Sequence, residues 1–143
     1  IGLNTTGLNL PELSAQLRIE NDFKHVAYIP DEDLIMLYNG AEAFVMPYSY
    51  EALSLTALEA QATGTPVLTV DVPGLREMTG GEALLVAKAE VDELAQALSR
   101  LAGDSALRRE LSEKGLAHAR RFSWQRCAAE TLAALAEAAR SAP

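Results

Sequence analysis

Residues 44–77 read FVMPYSYEALSLTALEAQATGTPVLTVDVPGLRE, and most of the information about the fold class lies in them. The stretch begins in an apolar run at residues 43–46 and reaches a second apolar run at Val67–Val70. Continuous runs without apolar–polar alternation are typical of strands buried on both faces of a parallel sheet. Residues 52–62 are small and apolar nearly all round, as in a buried helix. The stretch therefore predicts a strand, a buried helix and a second strand, followed by a loop at residues 73–77.

Similar patterns continue on both sides of this stretch. Apolar runs at residues 25–29 and 83–86 predict two more strands, which gives a sheet of about four. Leu34, Leu37 and Ala41 share one face of a predicted helix that precedes the first strand of the quoted stretch. The alternation of strands and helices predicts an α/β layered fold with parallel strands.

The chain after residue 86 has a different texture, because apolar residues recur there at helical spacing. This pattern predicts an all-helical, alanine-rich tail without an internal repeat or a linker. Gly103 and Gly115 are the predicted helix stops, and Ser123 is the predicted cap of the last helix. Trp124 is expected to anchor that last helix in the core.

Length and composition favour one globular domain. The chain has 143 residues, of which 49% are apolar, and it can bury a core without disulfides. The single cysteine, Cys127, excludes an internal disulfide and favours a cytoplasmic protein. No apolar run approaches the ~20 residues of a transmembrane helix, and no leader is visible. Because the first residue is Ile rather than Met, we expect residues 1–143 to be one partial domain of something longer, or a processed product.

Charge is unevenly distributed along the chain. The formal net charge is −8, and residues 1–87 carry twelve acidic against three basic residues. Nucleic-acid binders present a basic face, so this distribution argues against that class of protein. A phosphate bound by the first part of the chain would need backbone N–H groups, or basic residues that this chain does not contain.

Two carboxylates stand out in the quoted stretch. Glu51 lies where the loop meets the predicted helix, and Glu59 lies two turns into that otherwise apolar helix. One interpretation is structural: Glu51 caps the helix, and Glu59 points into solvent. The other is a ligand cleft at the carboxyl end of the preceding strand, where open α/β sheets bind ligands. In that cleft, N–H groups at the helix start would face a phosphate, and the carboxylates would accept hydrogen bonds from hydroxyls.

The order of residues around these carboxylates is similar to that of a known family. The matching positions are Pro47, Glu51, Glu59, Gly64, Pro66 and Val67. Together with flanking segments, over about residues 20–135, they resemble the carboxyl-terminal, donor-binding part of retaining glycosyltransferases of family 4, also called group 1. That family has a two-domain B-type fold, whose donor-binding part is a Rossmann-like parallel sheet flanked by helices. The resemblance implies transfer of a hexose from a UDP- or GDP-sugar to an acceptor hydroxyl, without a metal ion.

The resemblance also implies roles for individual residues. Glu51 would approach the donor sugar and act near the reacting centre. Glu59 would accept hydrogen bonds from the two ribose hydroxyls of the nucleotide. The diphosphate would be held at the helix start by three backbone groups and one hydroxyl. The residues concerned are Leu53, Ser54 and Leu55 for the backbone and Thr56 for the hydroxyl.

Compared with this family, the chain lacks an opening portion. In the family, that portion supplies a central strand and the basic residues that clamp the diphosphate, and an acceptor-binding amino-terminal domain precedes it. Residues 1–2 resemble only the end of the family's second strand. We therefore expect the isolated chain to be inactive, with the missing amino-terminal domain or a second copy as its partner. Contact of the longer parent with the inner face of a membrane is a further expectation.

The missing central strand leaves two strand edges that need partners. Residues 1–7 could enter the gap, residues 25–29 could pair directly with residues 43–46, or a second copy could close the edge. We favour the second or the third, because residues 1–7 are short and polar. A function of another class also stays open: a non-catalytic Rossmann-like interaction module, or one half of a split, two-chain transferase.

Overall fold

The computed structural model describes residues 9–141. Contacts between residues divide the chain into two compact units, whose described parts are residues 9–37 and residues 38–141. The single domain expected from the sequence stays a prediction. The strands of the described chain all lie in the second unit.

The described part of the first unit begins and ends in helices. Helix α1 spans Leu10–Gln16, and the Asn9 side chain caps it by accepting the Glu12 N–H at 3.2 Å. Helix α2 spans Asp31–Gly40, so it begins in the first unit and ends in the second. Three acidic residues at positions 31–33 stabilise its first turn through the helix dipole. The helix predicted before the first strand of the quoted stretch is thus confirmed.

The second unit contains a small parallel sheet with helices between its strands. The strands are β1 (Phe44–Met46), β2 (Val67–Val70) and β3 (Leu84–Val86), in the spatial order β1-β2-β3. The helices that begin in this unit are α3 (Leu55–Ala62), α4 (Pro73–Thr79), α5 (Val91–Gly103), α6 (Ser105–Ala119) and α7 (Trp124–Ser141). Both strand pairs are parallel. The predicted α/β class is confirmed, and the limits of these strands agree with prediction within one residue.

The predicted fourth strand is wrong. Residues 25–29 form no strand, and the sheet of the described chain has no ladder to them. Their direct pairing with residues 43–46, one of the three ways of closing the gap, is wrong for the same reason. Apolar composition alone does not make a strand, because a strand needs a neighbour for its backbone N–H and C=O groups. Residues 1–7 lie outside the described residues, and closure by a second copy stays a prediction.

Strand β2 is the most deeply buried part of the sheet. All four of its residues are buried. Leu68 and Val70 belong to one hydrophobic cluster with Leu101 of α5 and Leu111 of α6. Thr69 points to the opposite face of the sheet. Its hydroxyl donates a hydrogen bond to the Met46 carbonyl oxygen at 3.0 Å. This burial on both faces accounts for the continuous apolar run in the sequence.

Two helices depart from their predicted limits. Helix α3 begins at Leu55 rather than at residue 52, because Ser54 is its N-cap and accepts the Ala57 N–H at 3.3 Å. Residues 73–77, predicted as a loop, form the first part of α4. That prediction is wrong because proline is well suited to the first helical position, where no N–H donor is needed.

Gly115 lies inside α6 and does not end it, so this predicted stop is wrong. The residue is buried where α6 packs on α3, and a Cβ added there would lie 3.1 Å from Gln61 Cγ. A small residue is needed at this position because α3 packs closely against it. Gln61 in turn donates to the carbonyl oxygens of Thr79 and Glu82, at 3.1 and 3.0 Å, and ties α3 to the end of α4.

Helix α7 is regular, but nothing in the described chain covers it. The Ser123 hydroxyl accepts the Arg126 N–H at 3.2 Å, which confirms the predicted cap. None of the described residues of this helix is buried, and Trp124 is 75% exposed. The predicted core anchor is therefore wrong, because helical periodicity predicts an apolar stripe but not the surface that covers it. Over residues 9–141, no helix is long and apolar enough to cross a bilayer.

Candidate functional site

The candidate site lies at the edge of the sheet where the parallel strands end. Strand β1 ends at Met46, and a loop of residues 47–54 leads into α3. Ser54 is buried at the end of this loop. Its hydroxyl lies 3.0 Å from Met46 Sδ and 3.2 Å from Thr56 Oγ1. One small polar side chain therefore holds the start of α3 to the end of β1.

Glu51 is bound to its own loop. Its Oε1 accepts the N–H of Ala52 at 3.0 Å and the N–H of Leu53 at 3.2 Å. The structural interpretation of Glu51 as the helix cap is wrong, since Ser54 has that role. The two hydrogen bonds hold the Glu51 carboxylate against the backbone of its own loop.

The N–H groups around the start of α3 divide into bound and free ones. The Leu53 N–H is bound to the loop carboxylate, and the Ala57 N–H is bound to the capping hydroxyl. The N–H groups of Leu55 and Thr56 have no acceptor among the residues that the structure describes. An anion at this helix end would meet these two groups, in the positive field of the helix dipole.

Glu59 projects from the second turn of α3 and is exposed. It is more than a solvated side chain, because its Oε2 accepts a hydrogen bond from the Tyr38 hydroxyl at 3.4 Å. Burial, and then the charge of Glu59 and the hydrogen bond to it, raise the pKa of Tyr38 to about 12. A phenol is protonated at neutral pH even at its ordinary pKa near 10, so the Tyr38 hydroxyl donates and the carboxylate accepts. Within residues 9–141, no hydrogen bond joins Glu59 to Glu51.

The start of α4 packs closely against the loop that carries Glu51. A Cβ added to Gly74 would lie 2.2 Å from the Glu51 carbonyl oxygen and 2.8 Å from that of Ala52. Any larger residue would have to push this loop away. Gly74 therefore helps to set the position of the first carboxylate.

An ion pair lies at the same edge of the sheet, just after the end of β2. Arg76 Nε donates to Asp71 Oδ1 at 2.7 Å, and Arg76 Nη2 donates to Asp71 Oδ2. The hydrogen bond to Arg76 holds the pKa of Asp71 below its ordinary value, and the same bond raises the pKa of Arg76. Within the described part of the chain, no three His, Cys, Asp or Glu residues are grouped so that they could hold a metal ion.

The predicted site residues are gathered at one end and one side of α3. Those at the loop and the helix start are Glu51, Leu53, Ser54, Leu55 and Thr56, and Glu59 follows one turn later. Tyr38 was not predicted as a site residue. Tyr38 stands four residues after Leu34 on α2, and this helical spacing is the one local signal that favoured its burial. The close approach at Gly74 has no comparable signal in the sequence.

A family model described as "Glycosyl transferases group 1" matches residues 1–118. The chain is 36% identical over 113 residues to the O-antigen chain mannosyltransferase B of Escherichia coli, covering 79% of this chain and 30% of that protein. It is 38% identical over 129 residues to a D-inositol 3-phosphate glycosyltransferase of Nocardia farcinica, covering 86% of this chain and 29% of that protein. The chain thus spans about three-tenths of the length of these curated relatives.

A solved structure agrees with these sequence matches. The sucrose-phosphate synthase of Thermosynechococcus elongatus superposes with a TM-score of 0.86 at 27% sequence identity. The superposition covers 99% of this chain and 38% of that one. The chain therefore belongs to the group 1 glycosyltransferase family and matches its carboxyl-terminal domain.

Proposed function

We propose that this chain binds a UDP- or GDP-hexose, as the donor-binding part of a retaining glycosyltransferase that transfers the hexose to an acceptor hydroxyl. The observation that carries the proposal is the start of α3, where two free N–H groups lie between the Glu51 loop and the Glu59 side chain. A helix N-terminus suits a diphosphate, and carboxylates suit the hydroxyls of a sugar and a ribose. The glycosyltransferases among the relatives support glycosyl transfer.

The diphosphate is the leaving group of the proposed reaction. The N–H groups of Leu55 and Thr56 meet it first. The Thr56 hydroxyl can add a third donor when it accepts, rather than donates, the hydrogen bond that it shares with the Ser54 hydroxyl. The backbone of Leu53 and Ser54 borders the same position, with the Leu53 N–H shared with the Glu51 carboxylate. Because negative charge grows on the leaving group as the bond to the sugar breaks, these donors stabilise the transition state more than the ground state.

The two carboxylates bind the two sugar rings of the donor, the ribose and the transferred hexose. Glu59 accepts hydrogen bonds from the two ribose hydroxyls, and Glu51 lies toward the transferred sugar. Glu51→Ala in a full-length transferase that carries this chain is therefore expected to lower kcat more than it raises the donor KM. A change in KM alone would show that Glu51 only binds.

The remaining charge of the diphosphate is neutralised without a metal ion. The helix N-terminus supplies part of the compensation, and basic residues from the rest of the transferase supply the remainder. Arg76 contributes little, because its charge is already paired with Asp71. In this proposal, the partner of the chain is an acceptor-binding domain or a second copy. The transferase works in the cytoplasm or at the inner face of a membrane.

The test is direct binding of nucleotides to the 143-residue chain, measured by calorimetry with UDP, GDP and their hexose derivatives. Glu59→Ala is expected to weaken binding by about 1–3 kcal/mol, since it removes an acceptor of charge-assisted hydrogen bonds. Glu137→Ala on the exposed helix α7 is the matched control and is expected to leave the affinity unchanged.

Two outcomes would overturn the proposal. An unchanged affinity in Glu59→Ala would remove the ribose role. Failure of every nucleotide and nucleotide-sugar to bind would favour a non-catalytic interaction module instead. The isolated chain is also expected to transfer no sugar, and turnover by the purified chain would contradict that expectation.

A further inference from the structure

Tyr38 is fixed from three directions at the end of α2. Its side chain is buried, and its ring meets the edge of the Phe44 ring with 5.7 Å between the centroids. Its carbonyl oxygen accepts the Thr65 hydroxyl hydrogen bond at 2.7 Å. With both the backbone and the ring held, the direction of the phenol hydroxyl is set by the fold.

That hydroxyl reaches one oxygen of Glu59. It donates to Oε2 at 3.4 Å, while Oε1 has no donor among the residues that the structure describes. The phenol is neutral at physiological pH even at its ordinary pKa near 10. Burial and the neighbouring carboxylate raise the pKa of Tyr38 further, to about 12. An ionised carboxylate can only accept, so at physiological pH the phenol is always the donor and Glu59 is always the acceptor.

We infer that Tyr38 is a positioning residue: it holds the Glu59 carboxylate so that Oε1 faces the ribose hydroxyls of the nucleotide. The inference rests on the proposed function. A free glutamate side chain loses rotamer entropy when a ligand orders it. The hydrogen bond from Tyr38 restricts the Glu59 side chain before the ligand binds, so less rotamer entropy is lost on binding. This preorganisation raises the affinity. The effect is confined to contacts that use the ribose hydroxyls.

A purely structural role for Tyr38 makes a different prediction. If its ring only fills space, removal of the hydroxyl changes binding of every nucleotide equally or not at all. If it positions Glu59, removal weakens binding of a ribonucleotide more than binding of the matching 2′-deoxyribonucleotide. The ratio of the two dissociation constants therefore separates the two roles.

The experiment measures the affinity of the 143-residue chain for UDP and 2′-deoxy-UDP, or for GDP and 2′-deoxy-GDP if guanine binds more tightly. Tyr38→Phe keeps the ring and removes the hydroxyl, and Tyr28→Phe, at an exposed tyrosine, is the matched control. Glu59→Asp draws the carboxylate away from an intact Tyr38 and provides a second variant at an exposed position. Tyr38→Phe and Glu59→Asp are each expected to lower the preference for ribose by about two- to tenfold.

Glu59→Ala, measured in parallel, separates the ribose-binding role of Glu59 from the positioning role of Tyr38. If Glu59→Ala weakens ribonucleotide binding while Tyr38→Phe leaves the ribose preference intact, the positioning role is overturned and the proposed function stands. If Glu59→Ala has no effect, the proposed function fails and the inference fails with it. In a Glu59→Ala background, Tyr38→Phe is expected to cause no further loss, and an added loss would contradict the role.

Discussion

Helices α3 and α7 are both rich in alanine, yet one is built into the fold and the other is exposed. In α3, Ala57 and Ala60 are fully buried, and Gln61 is 1% exposed. In α7, every described residue is exposed, including Trp124. The difference comes from the neighbours: α3 packs against β1, β2, α4 and α6. Only a helix held in this way can present residues such as Glu59 in a defined position.

The largest expected effect is at Gln61, which donates to two carbonyl oxygens near the end of α4. Gln61→Ala leaves both acceptors without their donor, and the free energy of unfolding is expected to fall by about 2–4 kcal/mol. Gln125→Ala on α7 is the matched control, with a change within about 0.5 kcal/mol. Urea denaturation checks both variants, and equal losses would break the contrast between the two helices.

Enlarging an alanine tests the same contrast by a different route. Ala60→Leu inserts three carbons where the side chain is fully buried, and it is expected to cost about 1–3 kcal/mol of stability. Ala133→Leu, at an exposed position of α7, is expected to change stability by less than about 0.5 kcal/mol. Thermal unfolding followed by circular dichroism measures both. A tolerated Ala60→Leu would mean that the packing around α3 is loose.

The contact between Tyr38 and Glu59 of α3 makes the stability of the chain depend on alkaline pH. The pKa of Tyr38 is raised to about 12 in the folded chain, whereas an unfolded tyrosine ionises near 10. The stabilising contribution of the neutral phenol is therefore complete below pH ~10 and disappears as the pH rises toward ~12. Urea denaturation at several alkaline pH values is expected to show the wild type losing its advantage over Tyr38→Phe in this window. Parallel pH curves for the two proteins would contradict the assignment.

The smallest expected effect is at Trp124. Removing a tryptophan from a core usually costs about 3–5 kcal/mol, but this side chain is 75% exposed. Trp124→Ala is therefore expected to change the free energy of unfolding by less than about 0.5 kcal/mol. A loss of 2 kcal/mol or more in urea denaturation would show that α7 packs on the rest of the chain.

The parts of the fold that could be predicted are those with a local cause. Burial on both faces makes the run at Val67–Val70 continuous, and this run predicted β2 at its observed limits. A helix cap is also local, and Ser123 was predicted as one. The start of α3 was missed by three residues because Ser54 and Glu51 both offer side-chain acceptors to nearby N–H groups, and Ser54 forms the cap.

The parts that could not be predicted depend on distant neighbours. Residues 25–29 have strand-like composition, but pairing needs a partner that no local pattern reveals. Gly115 was predicted as a helix stop because glycine often ends helices. Its actual role is to pack against Gln61, which lies 54 positions away in the sequence and leaves no local signal. The site follows the same rule: the carboxylates were found from spacing and resemblance, whereas the contact of Tyr38 with Glu59 links α2 to α3.

The proposed nucleotide site consists of the start of α3 and the Glu59 side chain. The most direct measurement is a titration of the ¹⁵N-labelled chain with UDP and GDP, followed by amide chemical shifts. We predict the largest shifts at the N–H groups of Leu55 and Thr56, with smaller ones along α3 and none along α7. Shifts concentrated in α7, or no shift at any residue with millimolar nucleotide, would rule out this nucleotide site.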